Sequence, residues 1–309
     1  MTRFLDRVPS GSGYIALCFV CRVVEATGGS MAMNSAYAIL TSTLPDDVGR
    51  AVGFLQTTGG MGLVNRSSIG SCSLQYKVPI TDGNILTLLK IPGCSILYLL
   101  ILCCGLSLSF LDPTFSPFIK ENFPQISTPQ IGLLFAIAPG VFGIVSPIVG
   151  YISDRWLQGV QCIIGFILLA IGFCLLGPNP WLAEYIPTSV PETVIALVLI
   201  GIGASGVQSP SYTLICRMAR NRGLPENLQT FGLVSGLFTS AFSLGSFLGP
   251  TLAGYLVKQY EFAWSSSVCG LINISAGLIL TIYMSVMKIQ KNWPLPIPKE
   301  MKQVGEDET

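Results

Sequence analysis

Three groups of charge stand isolated among long apolar stretches, and they carry most of the chemistry this sequence offers. Asp112 lies alone within Ile91–Ile119, 29 residues with no other charge. An ionised carboxylate at the centre of a bilayer costs roughly 2.5–3.5 kcal/mol on insertion scales. A residue kept at that cost usually lies on an ion or substrate path, where it can exchange a proton or, as an anion, pair with an amine. The other reading places Asp112 at the interfacial end of its run, since Pro113 follows and Pro117 is near. Arg22 and Glu25 are the only charges in Val8–Pro45. Three apart, they share a helix face and pair with each other or with another helix. Asp154 and Arg155 close the uncharged run Asn122–Ser153. A carboxylate there caps a neighbouring helix N-terminus or meets an arginine, or it sits in an ordinary solvated turn.

Other reaction chemistry is missing. The sequence has no histidine, and its ten cysteines lie mostly inside apolar runs without the repeated spacing of a zinc or disulfide framework. We expect no metal, no cofactor and no enzymatic activity, and we read the cysteines as small packing residues. Tyr98, Phe110, Phe115 and Tyr212 offer ring faces to a cation, although aromatics on apolar helices more often pack.

The elements that position these residues follow from composition. Half of the 309 residues are hydrophobic, 11% are charged, and mean hydropathy is +0.63. Soluble domains carry about 25% charged residues, so a fold in water would expose large apolar patches. The 33 glycines and 20 prolines are tolerated in membrane bundles, where neighbours re-satisfy freed backbone groups. The reading is an all-α polytopic membrane protein. A helix needs about 20 apolar residues to cross. Seven runs qualify: Val8–Pro45, Ile91–Ile119, Asn122–Ser153, Trp156–Ala183, Thr193–Cys216, Asn227–Val257 and Phe262–Met287. Ala51–Val64 is too short to cross unaided, so it stays at one surface or dips into the bilayer.

Lys77, Lys90, Arg155, Arg217, Arg220, Arg222, Lys288, Lys291, Lys299 and Lys302 fall on one side, against Lys120 and Lys258 on the other. That bias puts the C-terminus in the cytoplasm. Asn65-Arg66-Ser67 matches the N-glycosylation pattern but falls on the cytoplasmic side, so it is expected to be unmodified. The division expected is 1–64, then a cytoplasmic linker over 65–90, a six-helix unit over 91–290 and a disordered tail over 291–309. An internal echo links Gly28–Tyr37 with Gly203–Tyr212 at a constant offset of 175, as two repeated halves would produce and as chance agreement between glycine- and serine-rich spans also would.

Three patterns together resemble the major facilitator superfamily. Gly150-Tyr151-Ile152-Ser153-Asp154-Arg155 is similar to its Gly-x-x-x-Asp-Arg gating loop. Arg22-Val23-Val24-Glu25-Ala26-Thr27-Gly28 is similar to its fourth-helix pattern, with Glu25 and Ala26 in place of glutamine and glycine. The stretch with Gly245, Gly249, Pro250 and Gly254 is similar to its glycine-proline hinge. Leu111-Asp112-Pro113-Thr114 resembles the seventh-helix motif of the vesicular amine transporter branch, and its polyamine-carrying members are the nearest likeness.

The resemblance implies an incomplete major facilitator fold. The C-terminal six-helix half is complete and is joined to one or two N-half helices, the fourth and part of the fifth. It implies a proton-coupled antiporter moving polyamines or other organic amines into an acidic vesicle by alternating access. Its partners are small cations, protons and membrane lipid, with no nucleic acid. Asp112, Arg22, Glu25, Gln208 and Tyr212 serve substrate or proton coupling in this reading. Gln208 and Thr239 stand where monoamine members carry acids, which argues against a monoamine cargo. The competing expectation is a non-transporting chain that associates with or regulates a full-length transporter, through the gap left by the N-half.

Overall fold

The computed structural model describes residues 33–44, 47–64, 88–89, 91–155, 158–177, 189–222, 224 and 228–289. Arg22, Glu25, the glycosylation pattern, nearly all of the 65–90 segment and the tail lie outside them. Helix α1 covers residues 33–43. It is followed by α2 (Val48–Val64), α3 (Pro92–Asn122), α4 (Thr128–Arg155), α5 (Gln158–Leu176) and α6 (Val190–Asn221). Leu228–Ile289 is a 62-residue helical run broken at Glu261, whose backbone is non-helical at φ 61° and ψ 173°. A straight helix of that length would be about 93 Å long, some three hydrocarbon thicknesses. The break gives two helices, α7 (228–260) and α8 (262–289). Five runs are long and apolar enough to cross a membrane, and the last holds two crossings. The six-helix C-terminal half is therefore present.

Local sequence explains where these helices begin. Pro92 opens α3 behind the extended Ile91, using proline where the helix needs no N–H. Ser189 and Glu192 form a reciprocal capping box at the start of α6. The run Asn122–Ser153 begins with a turn: α3 carries the charged pair Lys120-Glu121 in its last turn and ends at Asn122, Pro124 lies in the turn, and α4 starts only at Thr128.

Small residues decide which helices touch. Gly105, Gly245 and Gly249 bring α3 and α7 together. A Cβ at Gly249 would lie 2.6 Å from the Leu106 carbonyl oxygen, and one at Gly245 would strike that of Leu102. Gly165 and Gly172 pack α5 against Gly203, Gly206 and Ala196 of α6. Gly49 and Gly53 of α2 meet Gly150 and Ser146 of α4 in antiparallel order. Gly49-x-x-x-Gly53, Ser146-x-x-x-Gly150 and Gly245-x-x-x-Gly249 are the small-residue spacings that allow helices this close in a bilayer. Helix α2 is thus a partner along one half of α4, as deep in the bundle as that half.

An aromatic cluster gathers toward the end of the bundle where α7 turns into α8. Phe118 and Phe262 stack at 4.0 Å, and Phe110 sits 6.4 Å from Phe173 and 6.2 Å from Phe262. Phe115 lies 5.9 Å from Phe135. Buried polar bonds tie the helices: Asn273 of α8 donates to Ser107 of α3 at 2.8 Å, and Ser146 of α4 to Ser205 of α6 at 3.2 Å. The outward stripes Val160, Ile164, Ile167 and Ile171 on α5, and Leu271, Ile274, Leu278 and Ile282 on α8, are exposed and wholly aliphatic. Lipid solvates such stripes without polar partners.

Candidate functional site

Asp154 makes the best-defined polar contact between distant parts of the chain. Helix α2 begins with backbone N–H groups that its own turns cannot satisfy. The Asp154 carboxylate, at the end of α4, accepts from Gly49 N at 2.7 Å and from Arg50 N at 2.9 Å. It is a borrowed N-cap, favoured further by the positive end of the α2 dipole. Asp47 forms an ion pair with Arg50 at 3.3 Å in the same turn. Arg217 of α6 holds the other side of the α4 terminus. It donates to the Asp154 carbonyl oxygen at 3.0 Å and to Gln158 Oε1 at 3.2 Å, while Gln158 Nε2 donates to the Ser153 carbonyl. Arg50 and Arg155 each lie over the Tyr151 ring, 4.5 Å from its centroid, so the motif arginine meets an aromatic face. Gly150 is where Gly49 passes closest. These contacts latch α2 to the ends of α4 and α6.

Asp112 occupies a different setting. Helix α3 runs on through Pro113 and Pro117 to Asn122, so Asp112 does not stand at a helix end. It is ten residues from that end, about 15 Å along the axis, and about 30 Å from the Pro92 end. Its side chain is exposed on a helix otherwise packed on α7 and α8. The Pro92 end meets Met218 and Tyr283, on the side of the latch, so Asp112 lies toward the far side.

The other residues singled out from the sequence separate into packing and contact. Phe110 and Phe115 are fully buried in aromatic contacts, and Gln208 is buried in α6. Gly245 and Gly249 serve the α3–α7 contact, while a Cβ at Gly254 would meet nothing. The helix continues through Pro250, and its break comes at Glu261. Tyr212 is buried against Tyr37 of α1 and Phe238 of α7. Sequence reasoning missed Arg217, Gln158 and the first turn of α2. The Gly49-x-x-x-Gly53 spacing was the available signal for α2. Among the described residues no cluster of three or more histidine, cysteine or acidic groups could hold a metal.

A polytopic bundle of apolar helices long enough to cross a bilayer is the architecture of an integral membrane protein, and comparison with known proteins gives the family. Residues 97–306 match the model of the Major Facilitator Superfamily. MFS-type transporter SLC18B1 of Homo sapiens is 31% identical over 90% of this chain and 67% of its own length. The chromaffin granule amine transporter of Rattus norvegicus is 22% identical over 85% of this chain and 54% of its own. Among solved structures, the human organic anion transporter MFSD10 (TETRAN) superposes with a TM-score of 0.60 at 15% identity, over 81% of this chain and 67% of that one. The chain belongs to the Major Facilitator Superfamily.

Proposed function

We propose that this chain is a proton-coupled antiporter of organic amines, polyamines foremost, in the membrane of an acidic vesicle. The observation that carries the reading is Asp112, an exposed carboxylate within an uninterrupted apolar helix. On its protonated side it takes a proton. On the other it gives the proton up and pairs with an ammonium group, so one carboxylate holds either cargo and never both. The loop charges orient Asp154, Arg155 and Arg217 toward the cytoplasm. In that orientation the latched conformation is shut to the cytoplasm, and Asp112 lies toward the lumen. Residues 1–64 stand for the N-terminal half in this proposal, 91–290 for the C-terminal half and Asp154 for the gate between them.

The test is uptake of spermidine and serotonin by proteoliposomes of the full chain under an acid-inside gradient, with Asp112→Asn alongside. Gradient-driven spermidine uptake that vanishes in the mutant supports the reading. Equal uptake by the mutant sinks Asp112 as the coupling group. The second reading, a non-transporting chain that associates with or regulates a longer transporter, draws on the two helices, α1 and α2, that face the six among the described residues. Folded, inserted protein without any uptake would select it.

A further inference from the structure

The internal echo and the ring geometry converge on one point. With an offset of 175, Tyr37 and Tyr212 are equivalent residues of two related stretches. In the structure their rings stack on each other, with centroids 5.1 Å apart and 29° between planes. Equivalent residues meet where the axis relating two repeats passes between them. Phe238 of α7 closes the pair, edge-on to Tyr212 at 5.3 Å and tilted to Tyr37 at 6.2 Å. All three rings are buried.

The surroundings are polar in a way that packing does not require. Tyr98 of α3, beside Tyr212, is buried with its hydroxyl unbonded. The Tyr212 hydroxyl lies within reach of Thr41 and Cys216, but neither contact is well aligned. Ser209 donates to Gln56 Oε1 at 2.7 Å, and Ser235 to Asn34 Oδ1 at 2.5 Å. Burying hydroxyls unpaired costs free energy. Leucine or phenylalanine would fill the same volume without that cost, so these hydroxyls call for an explanation.

We infer that this aromatic cluster is a cation site held shut: two equivalent tyrosines that seal the path by stacking on each other and, once parted, offer their faces to an organic ammonium group. Each ring has a π face for the cation, and the hydroxyl oxygens of Tyr98 and Tyr212 accept from its N–H groups. Closed, the same rings occupy the space the cargo would use. Tyr98 lies 14 residues before Asp112 on α3, about 21 Å along the axis, so the cluster and the acid are separate stations. The inference rests on the amine reading above.

Two native thiols report on the seal. Cys216 follows Tyr212 by one turn, Cys94 precedes Tyr98 by one turn, and both are buried. The full chain in lipid nanodiscs is exposed to an impermeant maleimide, and labelling of Cys94 and Cys216 is followed by peptide mass spectrometry, with and without spermidine. Wild type and Tyr212→Phe should both label slowly, and the Phe variant, which keeps the ring face but loses one acceptor, should need about twofold more spermidine for half the response. Tyr212→Ala should label about tenfold faster, because it removes the seal. Tyr212→Leu keeps the volume and should label slowly, but the spermidine concentration giving half the response should rise about fivefold, the loss of one ring face. Equal spermidine response in the Leu and Phe variants overturns the cation site, and wild-type labelling in the Ala variant overturns the seal. If spermidine leaves wild type untouched while the Ala variant opens, the amine premise fails, and the cation site falls with it.

Discussion

Asp154→Asn tests the latch most directly. Ala51 N donates to the Asp47 carbonyl at 3.0 Å, so α2 has unsatisfied N–H groups only in its first three residues, and Asp154 takes two of them. Asparagine keeps one acceptor oxygen and drops the charge. The loss is one charge-assisted hydrogen bond, about 1.5–3 kcal/mol, and a dipole contribution of about 0.3–1 kcal/mol. Because Asp154 is half-buried, solvent returns part of this, leaving about 2 kcal/mol. That shifts the ratio of docked to undocked α2 about 30-fold. Amide hydrogen exchange reads the ratio at the affected groups. Exchange at Gly49 and Arg50 should accelerate about 30-fold in the mutant, while amides in the middle of α5 keep their wild-type rates. A change under about twofold at Gly49 and Arg50 would refute the capping argument. Equal acceleration in α5 would show general destabilisation, with no specific undocking.

Other outcomes follow from single contacts. Asn273→Val removes the bond to Ser107 and should cost about 0.6–1.7 kcal/mol, the range for interhelical bonds in bilayers, read as a lowered Tm in detergent. Gly245→Val should sharply reduce the yield of monodisperse protein on size exclusion, because its side chain meets the α3 backbone. Gly254→Ala, in the same motif but facing open space, should behave as wild type. Arg217→Met should raise exchange at the junction of α4 and α5, where the guanidinium bonds Asp154 and Gln158, with less effect on α2 than Asp154→Asn.

The crossings were legible because charge is nearly absent from them, and the last break was marked because Lys258 and Glu261 separate two apolar runs. Helix ends were less legible than the runs, since α3 takes Lys120 and Glu121 into its last turn and α4 starts only at Thr128. For α2, counting apolar length measured its capacity to cross alone, whereas its contact surface is the glycine pair 49 and 53 on α4. The partner types for Asp154 were legible, since a carboxylate after an apolar helix has few uses. The identity of its donors was not, because Gly49 and Asp154 are joined only by folding. The Tyr37–Tyr212 stack had the same obstacle. The echo equates the two positions, but contact between equivalents depends on where the relating axis falls. For Asp112 the sequence left a helix interior and a helix end both open, and α3 runs on beyond it.

The elbow at Glu261 has a mechanical consequence. Its left-handed φ lets α7 turn directly into α8, a conformation that costs a non-glycine residue about 1–3 kcal/mol. A join one residue long leaves no slack. A tilt of α7 that moved Phe238 off the tyrosine pair would act as a lever, dragging α8 with it. Through Asn273 and Ser107 the pull would reach α3, which carries Asp112. With α7 also packed directly on α3 through Gly245 and Gly249, these three helices are tied at the elbow, at the buried bond and along the glycine contact, and are built to tilt as one body.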